Sequence, residues 1–205
     1  MDGPVSRHHR LPAPASPVGV TRPDAAAGAY RQPAPASIRS WACARAAPCP
    51  LRGGGRRVGG VELVLRETTP EDLPILFEHQ RDPVAAAMAA FASRDWDAFV
   101  AHEAMIRSNP ALIRRTIVVD GEVVGSLGCF GDEQREVGYW VGRAHWGRGI
   151  ATAALAAFLG EVTERPLLAH VAATNTGSAK VLEHCGFVEV AREQTDIEEI
   201  VYRLA

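Results

Sequence analysis

The residues best suited to chemistry are Trp146-Gly147-Arg148-Gly149-Ile150-Ala151-Thr152, which lie between an expected strand and an expected helix. The first turn of a helix exposes unpaired N–H groups and the positive end of the macrodipole, and together these bind phosphate oxygens. Glycines at 147 and 149 let a diphosphate reach the backbone with no side chain in the way. Ala151 and Thr152 are small enough to keep that access, Thr152 adds a hydroxyl donor, and Arg148 adds charge. Two familiar phosphate loops do not fit. Gly142-Arg-Ala-His-Trp-Gly147-Arg148 lacks the Lys-Ser/Thr of a P-loop, and Thr152 stands where a dinucleotide fingerprint requires its third glycine. Taken alone, the stretch also reads as a tight turn with glycine caps.

A second element is Asn175-Thr-Gly-Ser178-Ala-Lys180-Val-Leu-Glu-His-Cys-Gly186-Phe187. Asn175 can cap a helix while its amide reaches a ligand. Val181, Leu182 and Phe187 would pack that helix on a sheet, and Gly186 suits the left-handed residue just past a helix end. Taken alone, this is a capped amphipathic helix. None of the seven histidines stands at His-Glu-x-x-His spacing, so no metal is expected. His79, His102, His145, His170 and His184 read as surface or packing residues. Cys129 and Cys185 lack an evident base partner and read as core.

The elements that must position these residues follow from periodicity. Val61–Arg66 alternates as a half-buried strand does. Thr69-Pro70-Glu71-Asp72 opens a helix, with Thr69 as cap and Pro70 in first position. Helices are predicted over about 70–80 and 95–108, joined by the Ala-rich segment 83–93. A hairpin turns at Asp120-Gly121, whose residues tolerate positive φ. Strands are predicted over 136–141, 167–171, 188–192 and 200–204, and helices over 149–162 and 176–184. Such an order gives one α/β domain, a mixed sheet flanked by helices.

Charge divides the chain. Residues 1–60 hold nine arginines, two acids and nine of the 14 prolines, a net of +7, whereas the remainder holds 13 basic and 22 acidic residues, a net of −9. We therefore expect a disordered basic Pro/Gly/Arg-rich extension over 1–60 and a folded domain over 61–205. A transit peptide or a nucleic-acid tether are the other readings of the extension, and nucleic-acid binding is not the preferred one. No apolar run is long enough for a membrane helix, and the N-terminus lacks the apolar core of a secretory signal. Four scattered cysteines fit reduced thiols in a cytoplasmic protein.

Taken together, the two stretches resemble the GNAT acetyltransferase superfamily. The family's Q/R-x-x-G-x-G/A pattern is matched from Trp146 to Ala151, with Trp146 in place of the leading Gln or Arg. Its later N-x-x-A/S…G-F element is matched by Asn175, Ser178, Gly186 and Phe187. Trp146, Glu136-Val-Gly-Tyr-Trp140 and Lys180-Val-Leu-Glu183 look like the branch that acetylates the N-termini of ribosomal proteins. The resemblance covers about 61–205.

It implies a mostly antiparallel, splayed sheet (the acyl-CoA N-acyltransferase fold), with acetyl-CoA as co-substrate and a primary amine as acceptor, either a protein N-terminus or a small molecule. The backbone of Trp140, Val141 and Gly142 would meet the pantetheine arm, and the Val141 N–H would polarise the thioester carbonyl. Residues 147–152 (Gly147, Arg148, Gly149, Ile150, Ala151 and Thr152) would bind the diphosphate, with Asn175 and Ser178 also at the ligand. Glu136 is the candidate base. Relatives place a proton-donating Tyr seven residues after the Asn. Here that position is Leu182, which leaves Ser178, or more remotely Tyr139, for the acid step. Met88, Phe91, Trp96 and Phe99 line an acceptor pocket or pack a core. A non-catalytic acyl-CoA-binding module is the alternative from another class.

Overall fold

A computed structural model describes residues 56–58, 61–131, 134–194 and 196–205. The predicted extension up to residue 55, with Cys43 and Cys49, lies outside the described residues. Strand β1 (Arg56–Val58) pairs with β2 (Val61–Arg66), so the sheet begins earlier than alternation indicates. Backbone pairing needs no side-chain pattern, which is why a three-residue edge strand leaves no sequence signal.

After β2, Pro70–Asp72 forms a single 3-10 turn that leads into α1 (Leu73–Arg81). The Thr69 N–H donates to the Asp72 carboxylate at 2.9 Å. Asp72, 3% exposed, also receives two hydrogen bonds from Arg66 (2.6 and 2.7 Å) and one from the Thr116 hydroxyl (3.0 Å). This ties β2, α1 and β3 together. The Ala-rich connection holds its own short helix, α2 (Pro83–Met88), whose first N–H groups bond the Asp82 side chain. Helix α3 (Trp96–Ser108) is capped by Asp95.

Strands β3 (Ile113–Val119) and β4 (Glu122–Phe130) form the predicted hairpin, with φ of 49° at Asp120 and 84° at Gly121. Val124 is an extra residue in this ladder, which runs Ile117↔Gly125 and then Val118↔Val123. A β-carbon at Gly125 would lie 2.2 Å from the Trp140 carbonyl oxygen, so glycine is required there. The chain continues through β5 (Arg135–Val141), α4 (Ile150–Phe158), β6 (Leu167–Ala172), α5 (Thr176–His184), β7 (Val188–Gln194) and β8 (Glu198–Leu204). Helix α4 ends before the predicted residue 162; the chain turns at Leu159–Glu161, beside Gly160.

The eight strands form one sheet in the order β1-β2-β3-β4-β5-β6-β8-β7, antiparallel except between β5 and β6. Adjacent residues Val123 and Val124 enter different cores, as alternation across a pleat requires. One core joins α1 and α3 to the sheet through Leu73, Leu76 and Phe99. The other, larger, joins α4 and α5 through Ile150, Leu155, Phe158 and Leu182. Strand β7 is outermost among the described residues. All its residues are exposed, and it is bulged between Glu189 and Ala191. Among the described residues, no helix is long and apolar enough to cross a membrane.

Candidate active site

The site is created by a failure of pairing. Strands β5 and β6 are matched at only two positions, Arg135↔Leu167 and Glu136↔Leu168, and then part. Strand β5 continues to Val141 against β4 alone, and β6 continues to Ala172 against β8 alone. The backbone of β5 alternates its polar groups between its two sides. The Gly142 N–H donates to the Val124 carbonyl at 2.9 Å. That fixes the alternation: residues 138, 140 and 142 bond β4, whereas Tyr139 and Val141 turn their N–H and C=O toward the gap. Of the consecutive backbones 140–142, only that of Val141 therefore faces the cleft. Its carbonyl is already engaged, accepting the Trp146 indole N–H at 2.7 Å. Val141 is left as a donor.

Gly142 serves in another way. A β-carbon there would lie 2.7 Å from the His79 ring, so α1 packs directly on the end of β5. Trp140 reinforces this contact by donating its indole N–H to the His79 carbonyl at 3.0 Å, and its ring meets Phe91 edge-on at 5.5 Å. The His79 ring is pushed below the ordinary imidazole pKa by burial and then by His145, whose ring lies 6.1 Å away. Its Nδ1 is buried without a hydrogen-bond partner.

The glycine junction is open. Gly147 and Gly149 both adopt φ of 72°, and a β-carbon at either would meet no atom within 4 Å. Residues 146–149 are exposed, Ala151 and Thr152 are half-buried, and Ile150 is anchored in the core. The first hydrogen bond of α4 runs from the Ala153 N–H to the Gly149 carbonyl, which leaves the amides of 150–152 ahead of the helical ladder. Arg148 approaches His145 Nδ1 at 3.4 Å, and Arg143 pairs with Asp82 at 2.7 Å. The residues present fit a diphosphate, with bare amides, positive φ and arginine nearby.

Across the cleft, Asn175 caps α5 by accepting the Ser178 N–H at 3.0 Å. The Tyr139 hydroxyl lies 2.7 Å from Ser178 Oγ and 3.1 Å from its carbonyl oxygen, joining β5 to α5. Burial raises the Tyr139 pKa well above its ordinary value, and the hydrogen bond with Ser178 only partly offsets this. Leu182 is fully buried in the core. Glu136 lies at the point of parting, its side chain 19% exposed.

Of the four residues considered for an acceptor pocket, Phe91 is the one that stands against β5. Phe99 is buried with Leu73 and Leu76, Trp96 packs on Phe77 and Phe99, and Met88 is exposed. Cys129 and Cys185 are free thiols held in the protonated form by burial. Among the described residues no three His, Cys, Asp or Glu cluster as a metal site.

Residues 62–188 match the model of the acetyltransferase (GNAT) domain. No curated protein matches the chain. Solved structures show the same fold. Mycobacterium smegmatis RimJ in complex with CoA-disulfide has a TM-score of 0.62 at 24% identity, covering 74% of this chain and 86% of that one. Vibrio cholerae spermidine N-acetyltransferase in complex with CoA and spermine has a TM-score of 0.61 at 18% identity, covering 69% and 92%. A GNAT-family acetyltransferase from Bacillus anthracis has a TM-score of 0.58 at 19% identity, covering 74% and 96%. With its parted sheet and open glycine junction, the chain belongs to the GNAT acetyltransferase family, and is an acetyl-CoA-dependent N-acyltransferase.

Proposed function

We propose that the chain transfers an acetyl group directly to a primary amine, either a protein N-terminus or a small-molecule amine, inside the parting of β5 and β6. The observation that carries this reading is the Val141 N–H, aimed into a gap that β6 vacates after Leu168. Acetyl-CoA supplies the activated acyl group. The amides of 147–152 hold its diphosphate with help from Arg148, and Asn175 and Ser178 border the same cleft. Val141 donates to the thioester oxygen, where negative charge grows during attack. Trp146 occupies the Val141 carbonyl, so the strand end presents a donor without a competing acceptor.

An amine must lose a proton to act as a nucleophile, because an ammonium titrates at about 8 to 10. Glu136, at the apex of the parting, takes it. The departing sulfur accepts a hydrogen bond from the Tyr139–Ser178 hydroxyl pair, which stands in for the tyrosine absent at Leu182, and takes its proton from solvent. The raised pKa of Tyr139 keeps that phenol protonated and hence a hydrogen-bond donor, not the acid itself. The net charge of −9 on residues 61–205 favours a cationic acceptor.

The test is a panel of amines and peptides incubated with acetyl-CoA, read by thiol release and by mass gain of one acetyl group. Glu136→Gln should lower turnover at least ~100-fold with CoA binding kept. If the protein neither binds acetyl-CoA nor acetylates any member of the panel, the proposal fails.

A further inference from the structure

Each of the two strands that separate carries an ionisable side chain beside the point of separation. Glu136 pairs with Leu168 in the last shared rung. Extending that parallel register by two residues sets His170 of β6 opposite Gly138, which has no side chain to intervene. His170 Nε2 lies 4.0 Å from Glu136 Oε1, with the two side chains 24% and 19% exposed. Leu167, Ala169 and Val171 point into the larger core, so His170 alternates to the other face of the sheet, the face on which Trp140 meets α1 and Phe91. The β6–β8 register sets Arg203 and Glu199 on this face as the other charged residues of β8, beside Leu168 and Ala172.

From this juxtaposition we infer that His170 is a positioning residue for Glu136 and the next station of the proton that Glu136 removes. The inference rests on Glu136 being the base. The N–H bond of the acceptor ammonium breaks as an O–H bond forms on Glu136. That O–H bond then breaks as Nε2–H forms on neutral His170, which restores the carboxylate. The imidazolium releases the proton to water at its exposed edge, and no electron changes hands. A separation of 4.0 Å is closed by a small side-chain rotation or spanned by one water. Imidazole is the side chain whose charge changes between about pH 5 and 8, which suits export of a proton near neutrality. The contact also holds the Glu136 carboxylate beside the gap.

Two measurements test this on the full chain. The first needs no acceptor: the ring signals of His170 are compared by NMR in the wild type and in Glu136→Gln. Loss of the carboxylate should displace the His170 ring signals, because Nε2 lies 4.0 Å from Glu136 Oε1. Identical ring signals would show that the pair does not exist and would overturn the inference. The second is kinetic. His170→Ala should cut kcat about 10–100-fold with KM for acetyl-CoA unchanged, displace the acid limb of the kcat–pH profile, and regain turnover with added imidazole. Wild-type kcat and profile in His170→Ala, with turnover lost in Glu136→Gln, would overturn the role of His170 alone. Undiminished turnover in Glu136→Gln would remove the base and the relay together.

Discussion

At the scale of residues, single polar atoms decide what the cleft offers a ligand. The Trp146 indole fills the last acceptor that β5 turns toward the gap, the Val141 carbonyl. Replacing it with Phe keeps the ring but strands the Val141 carbonyl. A net hydrogen-bond value of about 0.5–1.5 kcal/mol predicts CoA binding weaker by roughly 2–12-fold in calorimetry. Asp72 makes a different prediction, on stability. Burial opposes its charge, but hydrogen bonds from Arg66, the Thr69 N–H and Thr116 outweigh that cost and hold its pKa below the usual carboxylate range. Ionised Asp72 therefore stabilises the fold at neutral pH, and the contribution is lost as pH falls from about 4 through the lower folded value. Asp72→Asn should cost about 2–3 kcal/mol near neutrality, since Arg66 is partly exposed, and the gap from wild type should narrow in acid melts. The sequence did not disclose these roles. Trp146 reads there as a departure from the family motif and a mark of one of its branches, with no sign of its bond to Val141, and His170 stands 34 positions from Glu136, a distance that only the crossover between parallel strands closes.

At the scale of elements, the glycines separate function from folding. Gly149 is left-handed and caps α4 beside open space. Gly149→Ala should cost about 1 kcal/mol in backbone strain and weaken CoA binding, with the fold intact by circular dichroism. Gly125 is hemmed in by the Trp140 carbonyl, and there even one methyl meets backbone. Gly125→Ala should destabilise by at least ~2 kcal/mol and displace the end of β5, read as a lowered melting temperature and lost CoA binding together. Periodicity located most of these elements within one to three residues, because strands that bury one face and helices that bury a stripe must carry those patterns. It missed α2, whose Ala-rich sequence has no polar face to contrast with an apolar one. It also missed the parting of β5 from β6, which leaves no trace in either strand's pattern and rested on the family resemblance alone.

At the scale of the whole molecule, we propose from the change in composition near residue 60, from Pro/Gly/Arg-rich to patterned, that the two stretches are separable. A chain beginning at Arg56 should keep full CoA affinity and melting temperature. One beginning at Val61 also loses β1 and leaves β2 as the sheet edge, so it should melt a few degrees lower, as about 1 kcal/mol does in a domain of this size. The opposite margin has its own consequence. Strand β7 shows Val188 (61% exposed) and Val190 (50%) to solvent, and an outer strand with open backbone groups is a template onto which another copy can stack. The kink at Glu189–Ala191 and the Arg192 pairs with Glu189 and Glu198 interrupt that template with curvature and charge. Replacing Glu189 and Arg192 together by valine should increase self-association with rising concentration relative to the wild type, detectable by light scattering while each molecule still folds and binds its ligand.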